Sequence, residues 1–156
     1  MSFRVGLGVD AHAFAEGVPL VLGGVGFDAS RGLAGHSDGD VVTHALIDAV
    51  LGAAGLGDIG SLFPSDSSTP AGISSLDLLR DALARVRETG YAVVNADCVL
   101  IGEEPRISGR REEMERILSD LVDAPVTVRA TTTDRLGFAG RGEGLAAQAV
   151  ALVERS

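Results

Sequence analysis

The spacing of apolar and polar positions changes several times along the chain and divides it into elements. Phe3 to Val9 predicts a strand. Leu20-Val21-Leu22 and Val25-Gly26-Phe27 flank Gly23-Gly24, which predicts a hairpin. A helix capped by Asp38 or Asp40 is expected to run to about Ala54 and to end at Gly55 and Gly57. Leu62 to Ile73 is rich in Ser, Pro and Gly and predicts a loop. Ser74 or Ser75 then caps a second helix, with Leu76, Leu79, Leu83 and Val86 as its apolar stripe and Gly90 as its stop. Ala92 to Ile101 predicts a buried strand. Arg110 to Leu121 predicts a third helix with Met114, Ile117, Leu118 and Leu121 inward, and Val126 to Thr131 another strand. Leu145 to Val153 fits either a helix, for its alanines, or a strand buried in an apolar interface. Helices and strands mix without strict alternation, so the expected class is α+β in one domain spanning residues 1–156.

Composition adds an expectation about assembly. The chain of 156 residues is 46% hydrophobic, with no run long enough to span a membrane and no signal segment. The surplus apolar surface is expected between subunits, which predicts a homo-oligomer. Net charge is −9 with no basic stretch, which argues against nucleic acid as a partner. All thirteen basic residues are arginine, which excludes a Walker-type lysine, a Schiff-base lysine and a lysine base. Phosphates must then be met by Arg, backbone N–H groups, hydroxyls or a metal. The single cysteine, Cys98, lies in an apolar run and reads as a small buried hydrophobe in a reducing cytoplasm.

All three histidines, His12, His36 and His44, fall in the first 44 residues. Asp10 and His12 are two apart, so in a strand both point to one face. With His44 from the facing helix they form an Asp-His-His set suited to Zn²⁺, with a fourth position open. The alternative is a group of hydrogen-bonded polar residues at element ends. Asp48, one turn after His44, is placed to accept the other ring N–H of His44. His36 lies in the turn Gly35-His36-Ser37-Asp38-Gly39-Asp40, where backbone N–H groups and a helix N-terminus suit an anion. Thr131-Thr132-Thr133-Asp134 offers three hydroxyls and a carboxylate for phosphate and a second hard cation, or simply continues a strand into a turn. Asp58, between Gly57 and Ile59-Gly60, suits a vicinal diol or ends a helix. Glu103 to Ser108 is a loop whose backbone can read a base edge.

Taken together, GVDAHAF (Gly8 to Phe14), GHSDGDVVTHALID (Gly35 to Asp48), LGAAGLGDIGSLFP (Leu51 to Pro64), ATTT (Ala130 to Thr133) and LGFAGRGEG (Leu136 to Gly144) resemble the 2-C-methyl-D-erythritol 2,4-cyclodiphosphate synthases, in order and over nearly the whole chain. The resemblance implies a mixed β-sheet covered by helices on one face. Three such sheets would pack around a threefold axis in a homotrimer, with active sites shared between adjacent subunits. It implies Zn²⁺ on Asp10, His12 and His44, and Mg²⁺ or Mn²⁺ with the diphosphate and Asp134. It implies His36 and Thr132 as catalytic groups. Further substrate contacts are implied from Ser37, Asp58, Ile59, Gly60, the loop Phe63, Pro64, Ser65, Asp66 and Ser67, the cytidine pocket Gly102, Glu103, Glu104, Pro105, Arg106, Ile107 and Ser108, and Thr131, Thr133, Phe138 and Arg141. The implied substrate is the nucleotide-linked 4-diphosphocytidyl-2-C-methyl-D-erythritol 2-phosphate. Asp134 stands where the family commonly has Glu, Ser65-Asp66-Ser67 where it has Asp-Thr-Asp, Arg106 for Lys, and Val9 for an aromatic residue.

Overall fold

Two glycines decide how closely the first helix lies on the sheet. In the computed structural model, which describes residues 1–156, Ser2–Glu16 forms strand β1 and Val41–Ala54 forms helix α1. A Cβ added at Gly6 would stand 1.8 Å from the carbonyl oxygen of Ala49, and one at Gly8 1.8 Å from that of Ala45. Only residues without a side chain let the two backbones meet this closely. Strand β1 runs well beyond the expected Val9, so Asp10 and His12 lie within it and share the face of Gly6 and Gly8.

The remaining elements are β2 (Leu20–Leu22), β3 (Val25–Phe27), β4 (Arg31–Leu33), α2 (Ile59–Leu62), α3 (Ser75–Glu88), β5 (Ala92–Ile101), α4 (Arg111–Val122), β6 (Val126–Thr131), α5 (Gly137–Gly140) and β7 (Gly144–Arg155). The five-stranded sheet has the order β4-β1-β7-β5-β6, with β2 and β3 as a separate hairpin. Only β5 and β6 run parallel; the other neighbours are antiparallel. The open question at Leu145–Val153 is resolved as strand. β7 is central and paired on both edges, and Ala147, Ala149 and Ala151 are all buried there. Small side chains at these alternate positions suit a strand that lies close under α1.

Twelve of the fourteen α1 residues are buried, so this helix is a core element and not an amphipathic surface one. It packs on β1, β7 and β5 and also meets α3. Leu46, Ile47 and Leu51 are fully buried on it, and truncating any of them to Ala would cost about 2–5 kcal/mol. Of the two candidate caps, Asp40 is the one that works. Its fully buried carboxylate accepts from the N–H and hydroxyl of Thr43 (3.0 and 2.6 Å) and from the N–H groups of Gly23 and Gly24 (both 2.8 Å). One side chain therefore starts α1 and fastens the β2–β3 turn to it. Asp38 instead accepts from the N–H and hydroxyl of Ser75, and Ser74 caps α3.

The outer edge of β6 is covered from α4. Ser119 Oγ accepts the Val126 N–H at 2.9 Å and Glu115 the Val128 N–H at 3.0 Å. The face of β1 away from α1 is open from Phe3 to Val9. Phe3, Val5, Leu7 and Val9 on β1 are each more than half exposed there, beside Val150 on β7.

Candidate active site

The register of β1 and the seat of α1 bring three candidate ligands together. His12 Nε2 lies 2.7 Å and His44 Nδ1 3.2 Å from Asp10 Oδ2, and the two ring nitrogens are 3.3 Å apart. The outer nitrogen of each ring is already engaged. His12 Nδ1 lies 2.6 Å from the carbonyl of Ala34, which can only accept, so that nitrogen carries the proton and Nε2 presents a lone pair. His44 Nε2 lies 3.0 Å from Ser37 Oγ; donation to the hydroxyl leaves Nδ1 free to ligate. Asp10 Oδ2 is buried and has no hydrogen-bond donor. A buried anionic oxygen facing two imidazole lone pairs is costly unless a cation sits among them. The three donor atoms lie within 4.8 Å of one another, and Asp plus two His is a donor set for zinc with one position open. The residues present therefore fit a divalent metal.

Burial works to raise the Asp10 pKa, but the close contacts and charge interactions with His12 and His44 outweigh it and bring Asp10 down to about 2. The same contact with Asp10 raises His12, against the opposing effect of burial. Asp48 is raised by burial and lowered by the N–H of Ile59, which it accepts at 2.7 Å. This corrects the role expected for Asp48: it fixes the start of α2, and Ser37 is the residue that faces the second nitrogen of His44.

The triad opens into a cavity of about 180 Å³ whose walls include His36, Ser37, Ile59, Gly60, Phe63 and Ser65. Sequence reasoning had missed Thr69 and Leu78, which also line it. Thr69 is held there because its carbonyl accepts from His36 Nε2 at 2.5 Å, and because Gly72 N–H to His36 O (2.7 Å) and Asp38 N–H to Ile73 O (3.0 Å) bind its loop to the histidine turn. Only the pairing of two loops, invisible to any local pattern, selects it. Asp58 caps the four-residue α2 through a reciprocal pair of bonds with Ser61, next to the cavity wall. Pro64, Asp66 and Ser67 lie in the same loop but do not line the cavity.

The other expected groups are elsewhere on this chain. Ala11, Ala146, Ile101 and Thr131 follow one another across four strands, so Thr131 stands three strand spacings, roughly 14 Å, from β1. Gly102, Ile107, Ser108, Thr131, Thr132, Thr133 and Asp134 take no part in the triad cavity. Glu103, Glu104, Pro105 and Arg106 line a separate cleft of about 430 Å³ with Phe14 and Arg31. Glu103 accepts the N–H of Arg135 at 3.0 Å, which ties this loop to the threonine segment. Phe138 borders a shallow depression with Ala11 and Ala13, and Arg141 pairs with Glu143 at 3.1 Å.

The sequence profile of the YgbB family matches residues 3–154. The chain belongs to the YgbB family. Its relatives include the 2-C-methyl-D-erythritol 2,4-cyclodiphosphate synthases of Alkalilimnicola ehrlichii, 54% identical over 97% of this chain and 95% of that protein, and of Rubrobacter xylanophilus, 54% identical over 99% and 96%. The bifunctional IspDF of Campylobacter jejuni has a structure that superposes with a TM-score of 0.94 at 39% identity, covering 99% of this chain and 43% of that one. A Plasmodium falciparum relative, solved as a CDP complex, gives a TM-score of 0.85 at 30% identity, with 99% and 97% covered. The resemblance carried by the motifs thus holds over the whole fold, and the chain is an enzyme of this synthase type. The YgbB fold here is a single α+β domain with a mixed sheet. None of its helices is long and apolar enough to cross a membrane.

Proposed function

We propose that this chain converts 4-diphosphocytidyl-2-C-methyl-D-erythritol 2-phosphate to 2-C-methyl-D-erythritol 2,4-cyclodiphosphate and CMP, in non-mevalonate isoprenoid precursor synthesis. The observation that carries this reading is the convergence of Asp10, His12 and His44 on a buried carboxylate oxygen with no donor, in a chain of the YgbB family. An oxygen of the 2-phosphate attacks the β-phosphorus, and the bond from that phosphorus to the oxygen of CMP breaks. Substrate supplies nucleophile and leaving group, which suits a chain with no lysine and a buried, inert Cys98. What the protein must add is alignment and charge neutralisation.

Asp10, His12 and His44 would hold zinc, and Asp134 a magnesium or manganese ion with the diphosphate; bound divalent ions supply charge neutralisation at the phosphates. His36 and the Thr132 hydroxyl would donate to phosphate oxygens. For His36 this uses Nδ1–H, or follows release of Nε2 from Thr69. Asp58 would accept the ribose hydroxyls, with Ile59 and Gly60 beside it, and Phe63 to Ser67 would cover the methylerythritol part. Gly102 to Ser108 would enclose cytosine, and Phe138 and Arg141 would add further substrate contacts.

We further propose a homotrimer, in which Thr131 to Asp134 and the Gly102 to Ser108 loop of one subunit complete the triad cavity of the next. The distance across the sheet within one chain and the exposed apolar row of β1 support it. The proposed location is the cytoplasm, a reading supported by a lone buried cysteine that suits a reducing compartment.

Purified protein incubated with the substrate and Mg²⁺ or Mn²⁺ is expected to release CMP and a cyclic diphosphate, identified by mass spectrometry. A linear hydrolysed product would make it a metal-dependent phosphohydrolase. CMP binding without turnover would make it a binding module. His44→Ala is expected to lose bound zinc and activity together; zinc retained by the folded variant would remove His44 from the ligand set.

A further inference from the structure

We infer that Gly8 is a positioning residue for the metal triad, because the height of α1 above β1 at that glycine sets the reach of His44 to Asp10 and His12. The inference rests on the reading of the triad as a metal site. Two of its ligands, Asp10 and His12, belong to β1; the third comes from α1, so the triad bridges two elements. Backbone packing sets the gap between them. At Gly8 that packing is backbone on backbone: a Cβ there would stand 1.8 Å from Ala45 O, 2.8 Å from Ala45 C and 2.7 Å from Ala49 N. Ala45 follows His44 directly in the chain, so the contact that Gly8 permits is with the ligand's own neighbour.

The two distances from His44 leave little slack, whereas the Asp10–His12 edge, at 2.7 Å, lies within β1 and would itself widen around an ion. Ligand atoms about 2.0–2.2 Å from a tetrahedral zinc are roughly 3.3–3.5 Å from each other. His44 Nδ1 already stands at 3.2 Å from Asp10 Oδ2 and 3.3 Å from His12 Nε2. Lifting α1 until a Cβ at position 8 reached ordinary van der Waals contact takes a movement of roughly 1.5 Å. That would open both His44 distances well beyond the tetrahedral edge. The clash is with main chain of a helix packed on both sides, so no side-chain rotation relieves it. Gly6 meets the same helix equally closely, at Ala49 O, but one turn farther from His44. It therefore serves as the control: the same crowding, away from the ligand.

The test is zinc affinity by chelator competition and the visible spectrum of the Co²⁺-substituted protein, for wild type, Gly8→Ala and Gly6→Ala. Wild type is expected to bind one zinc per chain with a tetrahedral Co²⁺ spectrum; failure at that step would refute the metal reading itself, before the role of Gly8 arises. Both variants are expected to unfold at lower temperature. Gly8→Ala alone should lose at least about 100-fold in zinc affinity and the tetrahedral bands. Wild-type affinity in folded Gly8→Ala, or an equal loss in Gly6→Ala, would overturn the inference. If Gly8→Ala yields no folded protein, Ala45→Val adds bulk at the fully buried neighbour of His44. There the same selective loss of zinc is expected, and unchanged zinc binding would overturn the inference.

Discussion

Cys98 shows at the level of one residue how burial becomes a measurable pH dependence. Burial, with smaller contributions from Asp97 and Asp40, pushes its thiol from an ordinary 9.0 up to about 12. The folded state thus keeps the proton over a range in which the unfolded chain gives it up. The stabilisation is complete below about pH 9 and is lost as pH rises toward 12, at up to about 1.4 kcal/mol per pH unit. Urea denaturation at increasing alkaline pH is expected to show this slope in wild type and to show it reduced in Cys98→Ala. A thiol reagent at pH 8 should react only after unfolding. An alkaline slope that Cys98→Ala leaves unchanged would assign it to other groups. The same fact explains why the mechanism has no use for this sulfur: a thiol that is not ionised is not a nucleophile.

Among the elements, Asp40 has the largest structural role relative to its size. Asp40→Ala removes the cap of α1 and leaves the N–H groups of Gly23 and Gly24 without their acceptor. A lost cap of about 1 kcal/mol plus two unsatisfied donors at about 1–3 kcal/mol each predicts a loss of about 3–7 kcal/mol, read from urea midpoints. A loss below about 1 kcal/mol would show that the hairpin does not depend on it. Sequence pattern located this helix, α3, α4, β5 and β6 because each carries its own caps or apolar period. It left β7 undecided, since alternating alanines satisfy a helix and a crowded strand alike and only the neighbour decides. It missed β4, α2 and α5, which are three or four residues long and exist through contacts made elsewhere. Within the site, the i, i+2 spacing of Asp10 and His12 was legible from strand geometry alone. The partner of His44 was not, because Ser37 reaches it through the fold of a turn while Asp48 had only helical spacing in its favour.

The whole molecule has an exposed apolar row along β1, the face that the proposed trimer would bury. Leu7→Asp places a carboxylate in the middle of the exposed apolar row of β1, where like charges would meet around a threefold axis. Light scattering is expected to show wild type as a trimer and Leu7→Asp as a monomer. The monomer should still bind zinc, since all three ligands are its own, yet release no CMP, since it lacks the partner's threonine segment. A monomeric variant with full activity would show that one chain suffices.

The pairing of the first strand with the last also governs how the chain comes to be folded. Ser2 pairs with Arg155 and Ala13 with Gly144, so the two central strands of the sheet are separated by nearly the whole sequence. During synthesis β1 waits, with its apolar row exposed, until Gly144–Arg155 emerges; only then do β1 and β5 receive the strand that joins them. Such long-range closure makes folding slow and leaves open strand edges available to the wrong partner in the interval. The same pairing brings Ser2 and Arg155 side by side, at the opposite end of β1 from the histidines, so a linker joining these two residues would have to span little distance.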